Sequence, residues 1–495
     1  MKPPWTLGPV NQAQPWDRWE HRALIAAATI GVLVFVFKMK AFLDLCFTSD
    51  LYIQTQLARS WLEGRFLYDN CYGPHLGVHT YFFLPLLGLL AKPLGAPGLF
   101  IALAVAVGAS SFLAHRILRL LGADGGVALA AGIALVSLPI SLWTFGDGMG
   151  FHVDLMIPPL GLGLFYALLR RRIAASLAFT LLVCSVKEDA PIVASVLAAM
   201  VLVETWLANR SWHRPALATL ALAIALFPLL LWIKQSQPHS PYEVNHFGLL
   251  TGATGSTVHG IGSLFAFVLA RGFDWITFAL KQLWPLLFLA CTLGLLILRP
   301  WFAPLGFLTT GVAWLLADVA KLPNQGLVWS NRAIDAMLFC WCVILLGFAS
   351  LLRWAATIAP GRRRRVVRVG AGVLLISMLG QLHFATSGWD PLDLNLFRPS
   401  PYTADERKQA NELFAIYRRD GRPEEPVVAS PCLFRYAHDR NLYWLDRLKG
   451  RPRPVWILQD GEWPFTDFGL RAEDYAVVGR SGKFVLLRRA GAGSG

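Results

Sequence analysis

IAASLAFTLLVCSVKEDAPIVASVLAAMVLV, Ile173 to Val203, is apolar on both flanks and carries three consecutive ionisable side chains, Lys187, Glu188 and Asp189, near its middle. Arg170, Arg171 and Arg172 precede it, and Arg210 and Arg214 follow it. Two apolar helices with arginine at their far ends read as a membrane hairpin whose arginine ends stay in the cytoplasm. A helix from Ile173 to Lys187 rises ~21 Å, less than the ~30 Å hydrocarbon core of a bilayer. The triplet is therefore expected below the outer surface, facing a cavity, because charge at that depth is too costly to leave against lipid. Asp189 has a plainer role as N-cap of the next helix, with Pro191 in its first turn. That role leaves Lys187 and Glu188 without an explanation.

Composition agrees with the hairpin. Hydrophobic residues make up 55% of the 495 and charged residues only 15%, against about 25% charged in soluble domains. Mean hydropathy is +0.49. The net charge of +14 comes from arginines in short loops beside apolar runs, a topology signal that argues against nucleic acid as a partner. The seven cysteines form no C-x-x-C pair and no cluster with histidine, so they read as small apolar core residues.

Arginine placement threads the rest of the chain. Residues 1–22 are polar and cytoplasmic, and Arg18 and Arg22 precede a first span over Ala23–Phe37, read as an uncleaved anchor. The apolar segment Thr80–Leu90, bounded by Pro85, Lys92 and Pro93, is too short to span and reads as an interfacial or re-entrant helix. Later spans follow at Pro97–Ala114, Val127–Trp143, Leu155–Leu169, Ile173–Val186, Pro191–Leu207 and Pro215–Ile233. Two more end near Arg299 and Lys321, one returns to Arg353, and the last covers Val366–Phe384. This is an all-α polytopic membrane protein of about eleven spans over 23–384, N-terminus inside and C-terminus outside. Counting Thr80–Leu90 as a span would place Arg362 to Arg365 outside.

The tail, 385–495, is different material. PYTADERKQANELFAIYRR opens with a capping box, Thr403 with Glu406, and reads as an amphipathic helix. VVAS, NLYWL, VWILQ, YAVVG and KFVLLRR read as short strands, giving a small extracytoplasmic α/β domain. The closing AGAGSG reads as a frayed end.

Ionisable groups collect on the outer side of this topology. In the first outer loop (43–96), Asp50 opens a helix whose apolar stripe suits one lying along the membrane, and with Ser49 it can cap that helix. His75 and His79 precede the interfacial helix. The second outer turn, WTFGDGMGFHVD, adds Asp147, His152 and Asp154, and later loops add Lys234, Tyr242, Glu243, His246, His259, Lys321 and Arg332. Carboxylates and cations on one face are what a phosphorylated, membrane-borne substrate requires.

These segments carry a resemblance. An acidic residue just beyond span one, a helix behind it, an acidic second outer turn and an exported C-terminal domain resemble the GT-C superfamily of polytopic glycosyltransferases. Those enzymes use polyprenyl-phosphate sugars; protein mannosyltransferases and aminoarabinose transferases are examples. More narrowly, SDLYIQTQLARSWLEGR, GPHLGVHTYFFLPLL, GFHVDLMIPPLGLGLFYALLRRR and VKEDAPI are similar to an uncharacterised family of bacterial predicted membrane proteins with F-H-x-E/D and K-E-D elements. The aspartate–glutamate pair of some mannosyltransferases is here Ser49–Asp50, so only Asp50 carries over. The resemblance implies hexosyl or pentosyl transfer from a polyprenyl-phosphate-linked donor to a glycan, lipid or protein acceptor at the outer face of the cytoplasmic (inner) membrane. Asp50 would be the catalytic base, or ligate a divalent metal in metal-dependent members; no other cofactor is implied. Lys187, Lys321 and Arg332 would meet the phosphate. Tyr52, His75, His79, Asp147, His152, Asp154, Glu188 and Asp189 would line the substrate cavity. Two rival readings are a transporter or lipid flippase with the triplet as an ion relay, and a scaffold with the triplet as a structural ion-pair network.

Overall fold

The computed structural model describes residues 16–237, 334–356, 400–443, 452–461 and 470–491, apart from 48, 71–72, 139–140, 142–144 and 146–149. Asp147, Tyr242, Glu243, His246, His259, Lys321 and Arg332, the two spans expected to end near Arg299 and Lys321, and the last span after Arg353 lie outside the described residues.

Helix α1 (Arg18–Leu43) starts with a capping box that the sequence reading did not include: Asp17 accepts from Trp19 and Glu20 N–H, and Glu20 reaches back to the Asp17 N–H. Helix α2 (Ser49–Ser60) follows, then a two-residue hairpin of β1 (Tyr68–Asp69) and β2 (Gly73–Pro74). The membrane part continues with α3 (Leu84–Leu94), α4 (Ala96–Leu120), α5 (Gly125–Val136), α6 (Ile157–Leu169), α7 (Ile173–Cys184), α8 (Ala190–Asn209), α9 (Arg214–Gln235) and α10 (Ile334–Ala356). Among the described residues, five helices are long and apolar enough to cross a membrane: α1, α4, α8, α9 and the Met337–Trp354 part of α10. The spans expected at Ala23–Phe37, Pro97–Ala114, Pro191–Leu207 and Pro215–Ile233 fall inside four of them. α5 stops at Val136, short of the expected Trp143, where Pro139 in the sequence opposes helix continuation. α3 has 11 residues and rises only ~16 Å.

α1 packs along α4, and α4 against α5 and α6. Small residues permit the first contact: a Cβ on Gly108 of α4 would sit 2.5 Å from the Ala27 carbonyl oxygen of α1. Backbones that approach this closely gain dispersion contacts along their length, the usual driving force between helices in lipid. The start of α1 and the end of α4 are tied by charge. Glu20, fully buried, lies 3.1 Å from Arg116 and 3.6 Å from Arg119, and Arg119 also holds Asp17 at 2.9 Å.

Beyond the membrane part, α11 (Ala404–Asp420) carries the capping box of Thr403 and Glu406. It packs on a five-stranded sheet ordered β4-β3-β5-β7-β6, built from β3 (Val427–Ala429), β4 (Leu442–Tyr443), β5 (Trp456–Asp460), β6 (Tyr475–Ser481) and β7 (Phe484–Arg489). β3 pairs in parallel with β4 and β5, while β7 runs antiparallel to β5 and β6. Phe414 and Tyr417 of α11 bury their rings against Phe484 and Trp456.

The position of α2 differs from the expectation of a helix lying along the membrane. Every residue from Leu51 to Ser60 is buried. One side of α2 packs on α3 and α4; the other receives the C-terminal domain. Gln56 Nε2 donates to the Leu442 carbonyl (3.0 Å), Arg59 to that of Arg440 (2.9 Å), and Phe434 meets Tyr52 edge-on with ring centroids 5.2 Å apart. Of the polar residues that suggested water, Gln56 and Arg59 bond to protein instead.

Candidate functional site

The charged turn after α7 is the centre of the site. α7 has 12 residues and rises only ~18 Å, so the turn that follows it lies about that far from the Arg170–Arg172 end of the helix. The chain preceding α3 folds over this turn, with the Phe83 N–H donating to the Ser185 carbonyl at 2.7 Å. Glu188 is 7% exposed. One of its oxygens accepts from Lys234 Nζ (2.7 Å) and His79 Nδ1 (2.9 Å); the other accepts from the Thr80 N–H (3.2 Å). A carboxylate with three donors is strongly held, and a removed donor would leave charge stranded in a poorly solvated place.

A second knot lies beside it. Lys187 Nζ sits 3.6 Å from Asp154 and 3.4 Å from Asp189. His152 Nδ1 is 3.2 Å from Asp154 Oδ2, and its Nε2 is 3.3 Å from the Tyr81 hydroxyl. The direction of the Tyr81–His152 bond follows the tautomer of the imidazole. Asp154 Oδ1 and Asp189 Oδ1 are buried and have no hydrogen-bond partner among the described residues.

The tyrosine joins the two halves. Tyr81, 1% exposed, stacks on His79 (centroids 4.8 Å) and His75 (5.7 Å) and meets His152 edge-on (5.7 Å). His75 Nδ1 in turn lies 2.8 Å from Asp69 Oδ2. Burial pushes the His79 imidazole down to about 3, with Lys187 and Lys234 adding to it and Glu188 opposing. His79 is thus neutral near pH 7 and donates an uncharged N–H to Glu188. His152 goes the other way: burial opposes protonation, but Asp154 and, more weakly, Asp50 raise it above the ordinary histidine value.

Asp50 lies in the first turn of α2, and its charge is the weakest of the contributions acting on His152. Gly150 lies against the start of α2: its backbone has φ +84, and a Cβ there would meet Phe47 and Leu51 at 3.0 and 3.1 Å. Only glycine takes that backbone conformation without strain. Lys38, buried in α1, lies over the Phe47 ring at 5.3 Å.

The structure thus brings together His75, His79, His152, Asp154, Lys187, Glu188 and Asp189, while Asp50 acts weakly on His152 through its charge. It does not bring Tyr52 to them; that ring is buried against Phe434 of the C-terminal domain. Lys234, which the sequence marks only as one outer-loop cation among several, is a direct partner of Glu188. Asp69, Tyr81 and Lys38 had no place in the sequence reading. Asp69 six residues before His75 across a Gly-Pro turn, and Tyr81 two residues beyond His79, were the available signals. Among the described residues, no group of three or more His, Cys, Asp or Glu side chains is arranged to hold a metal ion.

Comparison with known proteins gives a family and a distant structural likeness. A family described as "Predicted membrane protein (DUF2079)" matches residues 44–412. Among curated proteins none matches. The crystal structure of ArnT from Cupriavidus metallidurans bound to undecaprenyl phosphate aligns over 95% of this chain and 98% of its own, at 13% identity and a TM-score of 0.46. The apo form of that protein aligns over 93% and 98%, at 15% identity and a TM-score of 0.40. The family match runs from the end of α1 into α11 and takes in the whole K-E-D cluster, the His75–Tyr81 segment and the Phe151–Asp154 element: the chain belongs to the DUF2079 family of predicted membrane proteins.

Proposed function

We propose that the chain is a membrane glycosyltransferase that moves a sugar from a polyprenyl-phosphate donor to an acceptor hydroxyl at the outer face of the cytoplasmic membrane. The observation that carries this reading is the recessed pairing of Lys187 and Lys234 with Asp154, Glu188 and Asp189 at the end of a short helix, with the charge of Asp50 acting weakly on His152. With Arg170–Arg172 at the inner surface, α7 carries the cluster only ~18 Å outward, below the outer limit of a ~30 Å core. A lipid-linked substrate has its reacting group near that boundary, and its phosphate needs cations held ready in place.

In the reaction, the bond between the anomeric carbon and the phosphate oxygen breaks, and its electron pair leaves on the lipid phosphate. The acceptor oxygen bonds to the anomeric carbon, and its proton passes to the Asp50 carboxylate. Lys187 and Lys234 offset the charge that builds on the departing phosphate. The unpartnered oxygens of Asp154 and Asp189 accept from sugar hydroxyls. His79 and Tyr81 hold the Glu188 and His152 groups in register, so the two lysines do not need to reorganise during transfer. About eleven spans, with the α/β domain outside, complete the arrangement.

The phosphate requirement is directly testable. Full-length protein in lipid nanodiscs is titrated with a short-chain polyprenyl phosphate and with the corresponding neutral polyprenol. The phosphate should bind at least ~10-fold more tightly, worth ~1.4 kcal/mol, and Lys187→Met should remove most of that preference. Equal binding of phosphate and alcohol would refute the reading.

A further inference from the structure

A cleft of about 410 Å³ lies between the first outer loop and the C-terminal domain, away from the lysine-carboxylate knots. Its size is within the roughly 300–1,000 Å³ usual for small-molecule sites. Its walls come from both units: Glu63, Arg65, Tyr68 and Asn70 on one side, Asp439 and Asn441 on the other.

The β1–β2 hairpin shows how this wall is made. Successive side chains of a strand point to opposite faces. Asp69 points to His75 in the candidate active site, whereas Tyr68 and Asn70 on either side of it face the cleft. One strand is therefore the shared wall of two compartments.

We propose that this cleft binds an uncharged saccharide. Its charges cancel, with Arg59, Arg65 and Arg440 matched by Glu63, Glu424 and Asp439. They are also already committed: Glu63 holds Arg59 at 3.2 Å and Arg65 at 3.3 Å, and Asp439 lies 3.9 Å from Arg440 and is paired with Arg418. An anionic ligand would have to compete with these carboxylates for the arginines. A polyol does not, because each hydroxyl both donates and accepts and so can bond to either member of an existing pair.

The floor is rigid in the way recognition of hydroxyls needs. Asn70, 4% exposed, donates to Asn441 Oδ1 (2.9 Å) and the Leu442 carbonyl (3.1 Å), and its N–H donates to Gln56 Oε1 (2.9 Å). Asn441 is fixed in turn by donation to the Glu424 carbonyl at 3.0 Å. The guanidinium of Arg65 lies over the Tyr68 ring at 4.6 Å, making a flat, partly apolar wall against which the C–H face of a sugar ring can lie. The inference does not depend on glycosyl transfer at Glu188; a chain that transports or only binds envelope glycans would keep it.

The test uses full-length protein in nanodiscs and saturation-transfer NMR with maltose, cellobiose and mannobiose. A disaccharide containing a uronic acid and inorganic phosphate serve as charged probes. At least one neutral disaccharide should bind saturably and more tightly than either charged probe. Tyr68→Leu, which keeps an apolar side chain, should weaken it at least ~10-fold, or ~1.4 kcal/mol. Glu63→Gln, at the rim, should weaken it too while leaving polyprenyl-phosphate binding unchanged. Absence of neutral-sugar binding, preference for the charged probes, or wild-type binding by both variants would overturn the proposal and leave the cleft a docking seam.

Discussion

Replacing Glu188 by glutamine should reveal how the recessed charges hold one another. The change keeps the shape and leaves one carbonyl oxygen, enough for His79 or the Thr80 N–H but not both, and it removes the negative charge 2.7 Å from Lys234. Breaking a buried ion pair from one side costs about 3–5 kcal/mol; because the Lys234 side chain is 22% exposed, ~2 kcal/mol is the better figure. If the pair is lost when the fold opens, ~2 kcal/mol accelerates thermal inactivation about 30-fold. Inactivation is followed at one fixed temperature by loss of the monodisperse peak in size-exclusion chromatography. Lys234→Met should have a similar effect, since it strands Glu188 instead. The double variant should come back to within ~5-fold of wild type, because replacing both members of a buried pair is close to neutral. Multiplying effects in the double variant would refute the pairing.

Other perturbations read separate parts of the account. His79 is held down to about 3 by burial, against about 6.5 when unfolded, so the unfolded state binds more protons between those values. The stability that neutral His79 supplies is complete above pH ~6.5 and is lost as pH falls toward 3, reaching at most ~2 kcal/mol at pH 5; His79→Gln should flatten that part of the pH–stability curve, and an unchanged slope would show that His79 is not the group. Gly150→Ala forces φ +84 on a residue with a Cβ and presses it against Phe47 and Leu51; a loss of at least ~1–2 kcal/mol is expected, and a neutral effect would mean that this turn does not fix α2. Asn70→Leu removes two hydrogen bonds to the C-terminal domain, worth ~1–3 kcal/mol if the acceptors stay buried. Amide exchange in β4 should then quicken; unchanged exchange would assign the docking to the Tyr52–Phe434 and Phe42–His438 contacts instead.

The spans that coincide with α1, α4, α8 and α9 were legible because apolar runs and arginine placement are properties of local sequence. α8 and α9 begin within a residue of the expected starts. The C-terminal helix was legible from Thr403 and Glu406, and its strands from short β-branched and aromatic runs. Pairings across long sequence separations were not. Glu188 meets His79 and Lys234 through the packing of three separate segments, and no period or motif encodes which outer cation finds which carboxylate. α2 shows the same limit from the other side. Its pattern of polar and apolar residues fits a membrane surface as well as a buried seam, and only the C-terminal domain decides between them. The resemblance assigned Tyr52 to the substrate cavity, but residues two apart on a helix, as Asp50 and Tyr52 are, point in different directions, and its ring is buried against Phe434.

The central claim is that this cluster transfers sugar with Asp50 as the proton acceptor, and one comparison tests it most directly. Purified wild-type protein and Asp50→Asn are assayed in proteoliposomes with polyprenyl-phosphate-linked sugars and a mixed envelope-glycan acceptor fraction. Asparagine caps helices about as well as aspartate, so both should fold and insert alike. Wild-type protein should release polyprenyl phosphate in step with glycosylated acceptor, and the variant should do so at least ~100-fold more slowly. Near-normal transfer by the asparagine variant would contradict the assignment of Asp50, and no transfer by wild-type protein from any donor would contradict the account as a whole.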